Sequence, residues 1–181
     1  MTTDDHVTHV LDDWARERPD LDASPIGIIA RVHRIAARLT PELTAVYAAH
    51  DLLEGEFDVL ATLRRQGEPF ETSAGRLASR TMVTTGAMTK RIDKLEAAGL
   101  VGRRVSASDA RERVIGLTDR GRAVIDAAFT EHIANERRLL ESMPAADRRA
   151  LEGILARWAT RLESLPTDPV HARTATCWSC D

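Results

Sequence analysis

A chain of 181 residues, 43% hydrophobic and 29% charged, is long enough to bury one core of ordinary size and polar enough to stay in solution. Its two cysteines, Cys177 and Cys180, both fall in the last five residues, which excludes a disulfide framework. The net charge of −3 argues against a polyanionic partner only as an average: residues 76–122 hold eleven Lys/Arg against five Asp/Glu, a basic middle between acidic ends. No apolar run approaches the roughly 20 residues that span a bilayer. Asp4, Asp5, Asp12 and Asp13 make the first residues acidic where a secretory signal is basic. The expectation is a cytoplasmic protein with no membrane partner. With aromatic residues at only 4%, the core must be aliphatic, which suits helices packed on helices.

The first predicted helix spans Asp4 to Arg18, with Val7, Val10, Leu11 and Trp14 on one face, and Pro19 ends it. Ser24-Pro25 reads as a cap followed by proline at the first helical position. The helix that follows carries Ile28, Val32, Ile35 and Leu39, and Thr40-Pro41 predicts a kink or a restart before its end near His50-Asp51. A third helix, Glu54 to Gln66, places Phe57, Leu60, Ala61 and Leu63 on one face and is closed by Gly67. Thr72 or Ser73 caps a short helix containing Leu77 and Ala78. After the turn Thr81-Met82-Val83, Thr84 caps a longer helix through Ala98, with Gly99 at its C-terminal end. Two β-like stretches, 101–105 and 113–117, flank a polar loop and predict a hairpin. Helical patterning resumes at Thr118, breaks at Met143-Pro144, and returns from Ala145 to Ser164 with Leu151, Ile154, Leu155, Trp158 and Leu162. Pro166 and Pro169 open an aperiodic tail.

Helix, short helix, turn, longer helix and hairpin, in that order, make a winged helix-turn-helix. The expected fold is mainly α, with a small β-hairpin wing and dimerisation helices at both ends. The longer helix has a docking face, Met88, Ile92 and Leu95, and an opposite face that carries Thr85, Gly86, Thr89 and Lys90 near its N-terminus. Small residues and donors there suit the approach of bases and phosphates in a major groove. Lys94, one turn on, is placed for a backbone contact, and Ser73 and Thr84 lie at the starts of the two helices. Double-stranded DNA is the partner this pattern predicts, with no enzyme activity: the sequence has no Gly-rich phosphate loop, no G-x-S-x-G elbow and no HExxH among its six histidines.

Asp109-Ala-Arg111, followed by Leu117-Thr118-Asp-Arg-Gly121, resembles the wing signature D-x-R-x5-L-T-x2-G of the MarR family. Lys94-Leu95-Glu96-Ala-Ala-Gly99-Leu100-Val101 is similar to that family's run from recognition helix into the first wing strand. The likeness spans about residues 25–165 and departs at Met82, where many members have glycine. It implies that Arg111 reaches toward the minor groove with Asp109 holding it. It also implies that the flanking helices form a homodimer, which would read a pseudo-palindromic operator with half-sites about one helical turn apart. The organisation expected is N-terminal helices over 1–52, a DNA-binding domain over 53–120, C-terminal dimerisation helices over 121–165, and a tail over 166–181.

Arg91 stands beside the docking face, where a charge needs a partner, and Asp58 in the third helix is a candidate to supply one. The strings Glu56–Arg65 and Gly86–Arg91 resemble the urate-responsive branch of the family, whose ligand site uses a tryptophan, an aspartate and two arginines. Trp14, Asp58, Arg91 and Arg103 match those positions by context. Two guanidiniums and an indole suit a small flat organic anion, and the same residues equally suit a packing tryptophan and a structural ion pair. The branch implies a repressor released from DNA by such an anion, urate among them. Cys177-Trp-Ser-Cys180 leaves open an alternative, a redox-sensing regulator of the same fold, and also half of a zinc site or an ordinary tail. No cofactor and no metal are expected.

Overall fold

The computed structural model describes residues 5–81, 85–105 and 113–165. In chain order these form α1 (His6–Glu17), α2 (Ile26–Ala48), α3 (Glu54–Arg64), β1 (Glu71–Ser73), α4 (Ala74–Arg80), α5 (Thr85–Ala97), β2 (Val101–Val105), β3 (Arg113–Leu117), α6 (Asp119–Leu139) and α7 (Ala145–Glu163). The mainly helical expectation with a small wing is what the chain adopts. No described helix is long and apolar enough to cross a membrane.

Local chemistry explains most boundaries. The Asp5 carboxylate accepts the Thr8 N–H at 2.9 Å and starts α1. Of the kink or restart expected at Pro41, the restart does not occur: α2 runs through the proline as one helix. Hydroxyls engage the carbonyls on either side of the missing N–H, Thr40 donating to Ala36 O at 2.9 Å and Thr44 to Thr40 O at 3.0 Å. Ser24 does not cap that helix either: Pro25 occupies the cap position and Ile26 is the first helical residue. Further along the chain, Gly99 closes α5 at φ +68°, a conformation that costs a side chain but not glycine.

The L-T-x-x-G string has a mechanical reason. Thr118 donates its hydroxyl to Gly99 O at 2.8 Å and accepts the Gly121 N–H at 2.9 Å, so one side chain caps α6 and ties it to the end of α5. Gly121 lies so close to the Leu100 carbonyl that a β-carbon there would collide with it.

The sheet has one strand more than the hairpin predicted. β3 is central and antiparallel to both neighbours, in the order β1-β3-β2, with Thr72 opposite Ile115 and Arg103 opposite Ile115 on the other side. Three residues are too few to show a period, which is why β1 left no pattern in the sequence. It exists because β3 offers an edge.

Contacts divide the chain into two units, Met1–Glu136 and Arg137–Asp181. The first holds the core, where Leu60, Leu63, Leu77, Ile92, Ile115 and Ile125 from α3, α4, α5, β3 and α6 are at most 2% exposed. Full burial of each such side chain contributes about 1.5–3 kcal/mol. Tyr47 from α2 stacks on Phe57 at 4.2 Å between ring centres. In the second unit α7 has no buried residue, and Leu151, Ile154, Leu155 and Leu162 are all exposed.

Candidate nucleic-acid interface

Helix α5 separates its two faces cleanly. Met88, Ile92 and Leu95 are 1–2% exposed against the core, while Gly86, Thr89 and Lys90 are exposed on the opposite side. Among the described residues nothing lies within 4 Å of where a Gly86 β-carbon would sit, which leaves room there for close approach. Ser73, expected at this surface, caps α4 by accepting the Arg76 N–H at 3.4 Å. Thr84, Asp109 and Arg111, and the side chain of Thr85, lie outside the described residues.

Lys94 is held by the protein itself. Its ammonium is 2.7 Å from a carboxylate oxygen of Glu56, a residue only 4% exposed. The other oxygen of Glu56 accepts the Leu53 N–H at 2.9 Å and so starts α3. The expected backbone contact of Lys94 therefore competes with a strong internal partner. Sequence reading passed over Glu56; the signal was a glutamate at the third position of a helix, the spacing at which a side chain reaches back to the helix start.

The four candidate ligand residues do not line one hollow. Arg91 is half-buried with its guanidinium laid over Gly55 of α3, where any β-carbon would displace it. The expected ion pair with Asp58 is not formed among the described residues: Asp58 is exposed, and its charge and that of Glu54 act on Tyr47, whose hydroxyl pKa is pushed up first by burial and then by these carboxylates. Arg103 on β2 turns to α5, pairing with Glu96 at 2.6 Å and with Asp93. Trp14 is 45% exposed beside a hollow of about 310 Å³ that it shares with Arg18, Leu21 and Ile26. Cys177 and Cys180 lie outside the described residues, and no cluster of His, Cys, Asp and Glu suited to a metal occurs among the described ones.

A short helix capped by Ser73, a longer helix with exposed residues near its start, and a three-stranded sheet behind them are the parts of a winged helix-turn-helix. The chain is 35% identical to the HTH-type transcriptional regulator PecS of Dickeya dadantii over 83% of its own length and 91% of that protein. It belongs to the MarR family. A model of the MarR family matches residues 50–112, from the end of α2 to the wing. An HTH-type transcriptional repressor of Mycobacterium tuberculosis is 33% identical over 74% of this chain and 93% of that one. Among solved structures, AbsC, a MarR family transcriptional regulator from Streptomyces coelicolor, superposes with TM-score 0.69 at 24% identity, covering 80% of this chain and 98% of that one. A mutant MepR from S. aureus bound to an oligodeoxyribonucleotide superposes with TM-score 0.52 at 18% identity, covering 74% and 96%. These likenesses show the same winged fold. As a MarR-family protein, the chain is a DNA-binding transcriptional regulator.

Proposed function

We propose that this MarR-family chain is a homodimeric repressor that leaves a pseudo-palindromic operator when a small organic anion binds. The observation that carries the ligand half is Arg91: a half-buried guanidinium on the recognition helix, parked over a glycine, with no carboxylate partner among the described residues. A half-buried cation without a counter-charge gives up part of its hydration, and an incoming carboxylate or urate oxygen would make up for that loss. Arg103 would join it only by releasing Asp93 and Glu96, which pulls on the recognition helix from the wing side. Ligand then releases DNA to the extent that it prefers this rearranged state. Trp14 and Asp58 complete the proposed set, Trp14 by offering a ring face that is half open to solvent.

The dimer reading rests on apolar surface. Ile28, Ile29 and Ile35 of α2, at 61%, 46% and 57% exposed, and Ile154 and Leu162 of α7, at 53% and 52%, are more than a monomer leaves in water without a partner for them. The wing Arg111 with Asp109, and Thr84, Thr85, Gly86, Thr89 and Lys90, are the proposed DNA contacts.

The test is a mobility-shift titration of urate against operator-bound wild type and Arg91→Ala. The expected result is release of the wild type and a response in the variant weakened at least tenfold. Equal responses would discard the ligand site while leaving the DNA-binding role intact.

A further inference from the structure

The basic middle of the chain is not one uniform cationic surface. Carboxylates of the same domain sort its cations into those already neutralised and those left for an outside anion. Lys94 is paired with Glu56, Arg103 with Asp93 and Glu96, and Arg104 with Glu71. Arg122 lies 4.0 Å from both Glu68 and Asp126 and covers the Phe70 ring. By contrast Arg76 and Arg80 of α4, Lys90 of α5 and Arg113 at the start of β3 are exposed and have no carboxylate within ion-pair distance among the described residues.

Two of these make a built surface. Arg76 and Arg80 stand at i and i+4 on α4, so they share the face opposite the buried Leu77 and Ala78. Beside them on α4 stand the exposed Gly75 and Ser79. A β-carbon on Gly75 would meet nothing within 4 Å among the described residues, and the Ser79 hydroxyl is folded back onto Arg76 O at 3.0 Å. The result is two guanidiniums rising from a low floor, a shape that lets a sugar-phosphate backbone come close. In a helix-turn-helix the first helix is the one that crosses the backbone.

We infer that Arg76 and Arg80 are phosphate contacts that fix the register of the domain on DNA, with Arg113 a third at the wing base, and that Lys94, Arg103 and Arg104 are not. This rests on the DNA-binding reading and adds which charges do the binding. Phosphate contacts position without reading sequence, so their loss weakens all duplexes alike.

Salt dependence separates the two classes, because each neutralised phosphate contributes about 0.9 to the slope of log K against log salt. The experiment compares wild type, Arg76→Gln/Arg80→Gln and Arg104→Gln, each binding an operator duplex and a scrambled duplex from about 50 to 300 mM salt, roughly the range over which such contacts are lost. Glutamine keeps helix propensity close to that of arginine, and circular dichroism checks that each variant is folded. In a dimer the double variant removes four contacts, so its slope should be shallower by about 3.6, equally on both duplexes. Arg104→Gln should keep the wild-type slope. A double variant with the wild-type slope overturns the assignment, as does an Arg104→Gln slope shallower by about 1.8. A wild type that binds no duplex overturns the DNA-binding reading as well, so the two failures are told apart by the wild-type lane.

Discussion

Helices α5 and α7 have similar amphipathic patterns in sequence and opposite fates in the fold. Each carries apolar residues at three- and four-residue spacing. In α5 those residues, Met88, Ile92 and Leu95, are sealed against α3 and α4, whereas in α7 Leu151, Ile154, Leu155 and Leu162 all face solvent. Periodicity therefore tells which face of a helix must be covered and not what covers it. Inside the first unit the cover is the chain's own core. For α7 it is, on our proposal, a second copy.

The sharpest way to break that contrast is a truncation inside the core. Leu60 is wholly buried at the centre of α3, so Leu60→Ala should cost about 2–5 kcal/mol of stability, read by denaturant unfolding. A cost below about 1 kcal/mol would mean that the site collapses around the smaller side chain. Next in size is Gly121→Ala. Its β-carbon would enter the Leu100 carbonyl, so α6 must shift away from the α5–β2 corner, at about 1–3 kcal/mol. The wing strand follows that corner, and DNA affinity should fall with stability in this variant.

Ile154→Ala tests the other side of the comparison. Truncation of an exposed residue should leave protomer stability within about 0.5 kcal/mol, yet it should raise the dimer dissociation constant measurably by sedimentation equilibrium. An unchanged dissociation constant would show that α7 packs against nothing in the assembly at this point.

Much of this architecture was legible because it obeys local rules. Caps, prolines and glycines mark helix ends through one or two residues, and Gly99, Thr118 and Pro144 each stand at the boundary they predict. The hairpin strands emerged at their expected residues because both are bounded by polar loop or turn positions. What stayed hidden depends on residues far apart in sequence. β1 exists only through pairing to β3, where Thr72 stands opposite Ile115, 43 residues further along the chain. The fate of a charge also depends on tertiary neighbours: Arg103, grouped by resemblance with Trp14, Asp58 and Arg91, pairs with Asp93 and Glu96 on the helix packed next to β2. Arg91 and Asp58 do sit on helices that pack together, but Asp58 is exposed and forms no ion pair with the guanidinium among the described residues. Spacing on a helix gives the face of a residue; only the tertiary neighbours decide which of several carboxylates a cation chooses.

The smallest effect concerns α1, whose only buried residue among those described is Val7. With so little apolar anchorage, its attachment to α2 leans on charge. Arg31 donates to both carboxylate oxygens of Asp5, at 2.7 and 2.8 Å, and to the Thr8 hydroxyl at 3.0 Å. These bonds, with the Thr8 N–H, hold the Asp5 carboxyl far below the usual carboxylate range. A lowered folded-state value means that the attachment is at full strength above the ordinary Asp pKa of about 3.9 and is lost as pH falls below it toward the folded value. Both partners are more than a third exposed, so solvent keeps the contribution small. Amide exchange in α1, corrected for intrinsic rates, should therefore be steady from neutral pH down to about 5 and rise below about 4. Asp5→Asn should raise α1 exchange at neutral pH and remove its acid dependence, while α5 exchange stays unchanged. If α1 in the variant kept the wild-type acid profile, the helix would be held by something other than this pair, and its apolar face, Trp14 included, would have to be the anchor.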